Sequence, residues 1–399
     1  MSIISPRTLS ELQAVQKLIN ETGRTLSDHD YRAQYHVDLS PLGWHVGHCA
    51  FLETFWLRET LLGDDSDTAG HHELYFPENL PRPQRGPALP EQQAHIDWCE
   101  QLQAENRALM QNPPAALREQ PVTNNDYLAR FLLQHHAQHY ETMIMVLSQR
   151  QRQLKVSQHD FAVQHKLHAA LPANDMLELD SGDYRIGYTG GVDAFDNELP
   201  AQTVFIHNTS LARYPVSNAN WLAFMEDGGY AQARFWSADG WQWRCENNIE
   251  HPEQWRQNSQ GDWFAVAYDG AHELAANAAV SGINYYEANA FVSWLRATDA
   301  NFRSACLPHE YALETAQQQG SLEGSGQVWE WCANTFHAYA GFKAFPYDNY
   351  SRPWFDGKHY TLRGSSPYTQ TAIKRPSFRN FYNPDKRHIF SGLRLALAL

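Results

Sequence analysis

Two histidines four residues apart, His135 and His139, lie in the string LLQHHAQHYETM, inside a segment whose apolar residues recur at helical spacing. Side chains four apart on an α-helix sit about 40° apart around its axis and project toward one point. Leu128, Phe131, Leu132, Thr142, Met143 and Val146 fall within roughly 80° of His135 on that projection, so both imidazoles interrupt a core-facing stripe. Buried imidazoles need partners. His136 does not share their direction. Glu141 completes an HxxxHxE string, yet it points roughly 160° away from His139 on an ideal helix and is left out of the candidate set.

A third imidazole lies far upstream. His48, in SPLGWHVGHCAF, has Trp44, Phe51, Leu52 and Phe55 at helical spacings and so also interrupts an apolar stripe. His45, one turn earlier, shares that face and is an alternative to it. A lone i,i+4 pair reads equally well as two satisfied core histidines, but a third imidazole on a second apolar helix favours a metal site. Three neutral nitrogens, with no cysteine and no carboxylate among them, suit zinc, iron, nickel or copper. Open coordination positions on such an ion point to catalysis more than to structure.

The chain has 399 residues, long enough for two domains. Residues 8–22, 41–60, 90–111 and 123–150 each carry apolar residues at three-to-four spacing and read as helices, the second started by a Ser40 cap and Pro41 in the first turn. They predict a four-helix bundle over 1–160, with the metal between helices two and four and one long functional connection over 61–89. From 165 to 399 the texture changes to short aromatic runs broken by Gly, Asn, Asp and Pro. There SGINYYEANAFVSWLRATD reads as a clear helix and LPHEYALETAQQ as a shorter one, predicting an irregular α+β domain. The aromatic strings FWSADGWQW and GQVWEW read as core.

With 13% aromatic and 19% charged residues the chain is too apolar to be disordered, and its net charge of −14 argues against nucleic acid as a partner. Five cysteines without CxxC spacing cannot all pair within one chain and fit a reducing cytoplasm. No signal-peptide core and no run of about 18 apolar residues predicts a membrane partner.

Together these strings resemble the non-haem iron sulfoxide synthases of ergothioneine biosynthesis, including their selenoneine synthase-like branch. In these a DinB-like four-helix bundle is fused to a domain like the formylglycine-generating enzyme, which is C-type-lectin-like. The matching strings are Trp44-His45-Val46-Gly47-His48 and His135 to Glu141, then FDNELP at 195–200, PVSNANWLAFMEDGGY at 215–230, LPHEYALETA at 307–316, GQVWEW at 326–331, LRGSS at 362–366 and FSGLRLA at 390–396. The resemblance covers nearly the whole chain and implies Fe(2+) bound by His48, His135 and His139. LRGSS carries Ser365 and Ser366 where a copper-dithiolate enzyme needs cysteine, so the second domain is expected to bind substrate.

The resemblance further implies an O2-dependent oxidoreductase that forms a C–S bond between the imidazole of N-α-trimethylhistidine (hercynine) and cysteine or γ-glutamylcysteine, giving a sulfoxide. Arg82 and Arg85 in PRPQRG are spaced to clamp a carboxylate of the thiol donor. Asn380, Phe381 and Arg387 suit a betaine, whose trimethylammonium rests on aromatic faces. Tyr382 is the first candidate for a catalytic proton donor and Tyr75 the second. The competing expectations are a selenosugar donor, unmethylated histidine as acceptor (a 5-histidylcysteine sulfoxide synthase), a zinc-dependent thiol transferase, and a non-catalytic metal-stabilised binding module.

Overall fold

A computed structural model describes residues 2–154, 161–191 and 193–398. The chain divides into two compact units: Met1–Gln153 with Gly190–Asp193 and Gln370–Ile373, and the remainder.

Among the described residues of the first unit, four long helices are α1 (Pro6–Arg24), α2 (Leu42–Thr54), α3 (Gln92–Gln111) and α4 (Tyr127–Gln153). They lie within a few residues of the periodicity reading. α1 packs on α3 and α4, and α2 packs on the same two helices, so α2 and α4 are neighbours. α1 starts on Ser5, whose side chain accepts from Thr8 N, with Pro6 in the first turn. It buries Leu12, Val15 and Ile19, each worth about 1.5–3 kcal/mol over exposure. Left-handed Asn125 and Asp126 precede α4, and the Asp126 carboxylate accepts from Ser5 N and Thr8 Oγ1 at 3.0 and 2.9 Å, tying the starts of α1 and α4 together.

α2 is buried along its whole length. Two glycines make this fit: a Cβ on Gly43 would lie 2.4 Å from the Tyr31 ring, and one on Gly47 would lie 2.3 Å from the Tyr75 hydroxyl. Beyond Thr54 the helix widens into a π turn, Phe55–Thr60. Its start corrects the expected cap. Pro41 is the cap residue and makes no side-chain bond, because the Ser40 hydroxyl accepts from Arg85 Nη1 at 2.5 Å. The 61–89 connection holds two short helices, His72–Tyr75 and Arg82–Ala88, which puts the two arginines on a helical turn instead of an open loop.

The second unit is α+β. Its strands are β1 (Met176–Leu179), β2 (Gly182–Ile186), β3 (Gln202–Ile206), β4 (Thr209–Ala212), β5 (Trp255–Gln257), β6 (Trp263–Ala267), β7 (Gly270–Glu273), β8 (Ala305–Cys306), β9 (Trp329–Thr335), β10 (Tyr360–Gly364), β11 (Asn380–Tyr382), β12 (Ser391–Gly392) and β13 (Ala396–Ala398). They form sheets ordered β1-β4-β13-β8, β11-β10-β9-β12, β5-β6-β7 and β2-β3. Tyr285–Thr298 is helical as predicted, capped by Asn284 and Glu287, and so is Glu310–Gln318. Asn218–Glu226 and Ala238–Glu246 are helices that periodicity did not reveal. Each is nine residues long, too short to show a stripe. The first starts from a Ser217–Asn220 capping box and buries Trp221, Leu222 and Phe224.

GQVWEW is core, with Trp329 and Trp331 fully buried. In FWSADGWQW, Trp236 is buried while Trp241 and Trp243 are half-exposed. Ser366 has a turn-forming role: its Oγ accepts from Tyr368 N at 3.1 Å, and its own N–H donates to Thr369 Oγ1 at 2.9 Å. All five cysteines are unpaired. Among the described residues no helix is long and apolar enough to cross a membrane.

Candidate metal centre

α2 presents His48, and α4 presents His135 and His139 one turn apart. One ligand atom from each lies within 4.8 Å of the other two. Ring centroids are 5.1 Å apart for His48 and His135, 4.7 Å for His48 and His139, and 4.4 Å for His135 and His139. His48 and His135 are buried and His139 is partly exposed. Glu141 does not belong to this group.

Hydrogen bonds define which nitrogens are available. His48 Nδ1 donates to the Tyr75 carbonyl at 2.8 Å, so in the neutral ring the lone pair is on Nε2. That atom faces His135 Nε2 at 3.2 Å. Burial holds the His48 pKa down at about 4 against the modest support of the Tyr75 carbonyl. Burial, then the neighbouring imidazoles, push His135 and His139 well below the ordinary histidine value. Three neutral imidazoles crowded into a desolvated cell, with two Nε2 atoms nose to nose, match the electronic needs of a borderline divalent ion. The donor set therefore fits a metal.

A competing group, Cys49 with His135 and His136, is equally compact. Burial, and then Glu53, push the Cys49 thiol well above its ordinary pKa, which disfavours the thiolate a metal needs. His136 is also committed elsewhere. Its Nε2 lies 2.6 Å from Glu53 Oε1, with both side chains fully buried, and Gln16 Nε2 donates to the same oxygen at 2.6 Å. This pair is the structural fate of the histidine between the two candidate ligands.

The walls of the site were not legible from spacing. Trp44 stacks on His48 at 4.5 Å and 12°, donates its indole N–H to Leu74 O at 2.7 Å, and carries the Arg85 guanidinium 4.3 Å from its ring centroid. Its place one turn before His48 was the available signal. Arg85 is 4% exposed. It donates to Leu80 O, Ser40 Oγ and Pro77 O at 2.9, 2.5 and 2.6 Å, using three of its five N–H groups, whereas Arg82 is exposed.

Tyr75 supports the site through its backbone. Its phenol hydroxyl is 2.6 Å from His95 Nε2, and the Tyr31 hydroxyl is 2.9 Å from His95 Nδ1. Burial raises the Tyr75 pKa well above the ordinary phenol value. The structure thus ties the second proton-donor candidate to His95. Gly47 lies directly beneath this group. Gly47→Ala is expected to displace Tyr75, lower stability by about 1–3 kcal/mol and loosen the His48 contact, read as a fall in both the thermal midpoint and divalent-metal affinity. An alanine variant with unchanged metal affinity would show that the Tyr75 carbonyl does not hold His48.

In the second unit, Asn380, Phe381 and Tyr382 form the edge strand β11, with Tyr382 opposite Tyr360 and Asn380 opposite Leu362. Phe381 stacks on Phe336 at 4.2 Å, and Asn380 Oδ1 accepts from Phe381 N at 3.0 Å. The Tyr382 ring stands 6.2 Å from His388, edge to face. Arg387 is neutralised by Glu287, with Nε 2.9 Å from Oε2 in poor alignment and Nη2 donating to Oε1 at 3.2 Å. Arg379 is fully engaged in the core by Glu310.

An imidazole-lined helical bundle joined to an α+β unit of many short sheets defines a two-part protein with a candidate metal centre in its bundle. The chain belongs to the family described as sulfatase-modifying factor enzyme 1-like domain, which matches residues 160–325 and 318–399, and the DinB superfamily matches residues 11–143. It is similar to the hercynine oxygenase of Mycolicibacterium thermoresistibile, 29% identical over 96% of this chain and 94% of that protein. It is equally similar to the hercynine oxygenase of Mycobacterium tuberculosis, 29% identical over 92% and 93% of the two chains. Ergothioneine biosynthesis protein 1 of Schizosaccharomyces pombe is 25% identical over 51% of this chain and 27% of its own length.

Proposed function

We propose that the protein is an oxygenase of the ergothioneine pathway acting on hercynine, with Fe(2+) held by His48, His135 and His139. The observation that carries this reading is the convergence of three neutral imidazoles from α2 and α4, in a chain similar over nearly its full length to proteins named hercynine oxygenase. Bound iron would supply the oxygen chemistry. The second reactant is a thiol, cysteine or γ-glutamylcysteine, and the product a C–S-linked sulfoxide. The neutral state of the ligand imidazoles, imposed by burial, leaves their lone pairs available without competition from protons. Trp44, stacked on His48, fixes that ring and limits water beside it, so the protein's main contribution is orientation.

Donor recognition is assigned to Arg82, with the two N–H groups that Arg85 has left. Hercynine binding is assigned to Asn380 and Phe381, with Arg387 shaping the segment that follows. Tyr382 remains the first candidate for proton donation; Tyr75, bound to His95, is the second. Arg82→Gln is expected to raise KM for a carboxylate-bearing thiol by roughly 10–100-fold, the loss of one charge-assisted hydrogen bond of about 1.5–3 kcal/mol. Its kcat should change little. A selenosugar, which lacks the carboxylates, would lose nothing, so equal loss for both donors would remove Arg82 from recognition.

The deciding test is oxygen uptake by anaerobically Fe(2+)-reconstituted protein given hercynine with cysteine, γ-glutamylcysteine or a selenosugar, with histidine in place of hercynine as a control and mass spectrometry of the products. A sulfoxide formed with hercynine supports the proposal. A C–Se product assigns the selenoneine branch, and product from histidine assigns the 5-histidylcysteine reaction. Turnover without oxygen in the presence of zinc points to thiol transfer, and no uptake with any pair leaves a binding module.

A further inference from the structure

We infer that His45 is a positioning residue of the metal centre: its Nδ1 accepts the Nδ1–H of His139 and thereby leaves His139 Nε2 bare and aimed as a ligand. The inference rests on the three-histidine metal reading above and adds a fourth imidazole with a different job.

The contact is direct. His45 Nδ1 and His139 Nδ1 are 2.9 Å apart, a distance at which one nitrogen must carry the shared hydrogen and the other its lone pair. Two arrangements satisfy it. If His45 donates, the neutral His139 ring carries its own hydrogen on Nε2, and that nitrogen is closed to a metal. If His139 donates, Nε2 holds a lone pair and is open. A neutral imidazole that binds a metal through Nε2 must carry its hydrogen on Nδ1, so ligation decides between the two arrangements. Metal-bound histidines characteristically donate their other ring N–H to a fixed acceptor, which sets both tautomer and ring angle.

His48 follows this rule through the Tyr75 carbonyl. His139 is the ligand on the partly exposed side, where an imidazole without such a tether would turn most freely. His45 is well placed as that tether. It is 4% exposed, its ring is boxed by Trp44 edge to face at 5.3 Å and 86°, and it lies one turn before His48 on the rigid, fully buried α2. One helix therefore supplies a ligand to the metal and an acceptor to the ligand opposite. His45 itself is outside the group whose nitrogens converge, which separates this role from ligation.

Two variants test it. His45→Asn keeps an acceptor oxygen close to the Nδ1 position, while His45→Leu keeps bulk and removes the acceptor. With metal-stripped full-length protein and Co(II) as the probe, His45→Leu is expected to weaken binding about 10–100-fold and alter the d–d absorption band, with His45→Asn staying close to wild type. A leucine variant that binds as tightly as wild type with the same spectrum overturns the inference, and so does an asparagine variant as weak as leucine. Should the leucine variant fail to fold, ring-nitrogen NMR of the Zn(II)-loaded wild type decides the matter. His139 protonated on Nδ1, with His45 unprotonated on Nδ1, supports the tether; the reverse overturns it. Wild-type protein that takes up neither ion overturns the metal reading and this inference with it.

Discussion

His135→Ala is expected to abolish tight divalent-metal binding and, with it, all oxygen-dependent turnover, whereas His136→Ala, one residue away, is expected to keep the metal and lose stability. His135 Nε2 faces His48 Nε2 at 3.2 Å, so its removal takes away one of the three proposed ligands. The loss of affinity should exceed the roughly 10–100-fold that removing a supporting hydrogen bond costs. Binding to the native state stabilises a protein by about 4 kcal/mol at a thousandfold excess over Kd. Wild-type protein should therefore show a metal-dependent rise in its unfolding midpoint that His135→Ala lacks.

His136 answers to Glu53 instead, at 2.6 Å with both partners at 0% exposure. Truncating it leaves a carboxyl group in the bundle core, held by Gln16 and Asn106, at a cost of roughly 3 kcal/mol or more. Metal titration and calorimetry on the two variants are expected to move in opposite columns. Lost metal in His136→Ala with the fold intact would shift the site to the Cys49, His135 and His136 group, whereas retained metal in His135→Ala would rule out both groups.

Arg363→Met is expected to lower the melting midpoint of the second unit by several degrees. Glu310 accepts from Arg363 Nε and Nη2 at 3.1 and 2.7 Å and from Arg379 Nε and Nη2 at 2.9 and 2.8 Å. All three side chains are fully buried. Arg363 also donates to Ser377 O and the Tyr339 hydroxyl, both at 2.9 Å, joining β10 to the segment that leads into β11. Glu314 Oε2 lies 2.9 Å from the same guanidinium but out of line with its N–H bonds. Methionine replaces the volume and leaves the carboxylates undercompensated, a loss of about 3–5 kcal/mol. At about 2–4 °C per kcal/mol for a unit of this size, the midpoint should fall by roughly 6 °C or more.

The same cluster sets an acid sensitivity. Burial alone would raise the Glu310 pKa, but Arg379 and Arg363 outweigh it and hold the group at about 2, below the ordinary 4.5. A depressed carboxyl contributes stability that is fully present above pH 4.5 and is lost as the pH falls from there through about 2. Wild-type protein should lose stability on acidification across that window, and Arg363→Met should lose less. Equal slopes for the two proteins would remove Glu310 as the cause.

Some of this was legible because helices repeat. The four bundle helices, and the pairing of α2 with α4, follow from apolar residues at three-to-four spacing over long segments, where period outweighs noise. Glu141 and His136 could be set aside for the same reason, since an angle around one helix axis is a property of the sequence. The nine-residue helices beginning at Asn218 and Ala238 were beyond that reach. The Ser40 cap failed for another reason: its hydroxyl had a stronger, charged partner in Arg85, 45 residues away. Arg85 was itself read as a free clamp because nothing local shows that Leu80, Pro77 and Ser40 converge on it.

The sequence by itself determined which imidazoles share a helix face, that two such faces exist, and that the second half has too many short aromatic runs to be anything but sheet-rich and irregular. Tertiary structure alone decided what each imidazole touches. Whether a ring nitrogen meets a carbonyl, as His48 does at Tyr75, another imidazole, as His139 does at His45, or a buried carboxylate, as His136 does at Glu53, depends on chain segments many residues apart arriving within 3 Å. Hydrogen bonds act only at about that distance, so the partner assigns the role, and partners are chosen by packing.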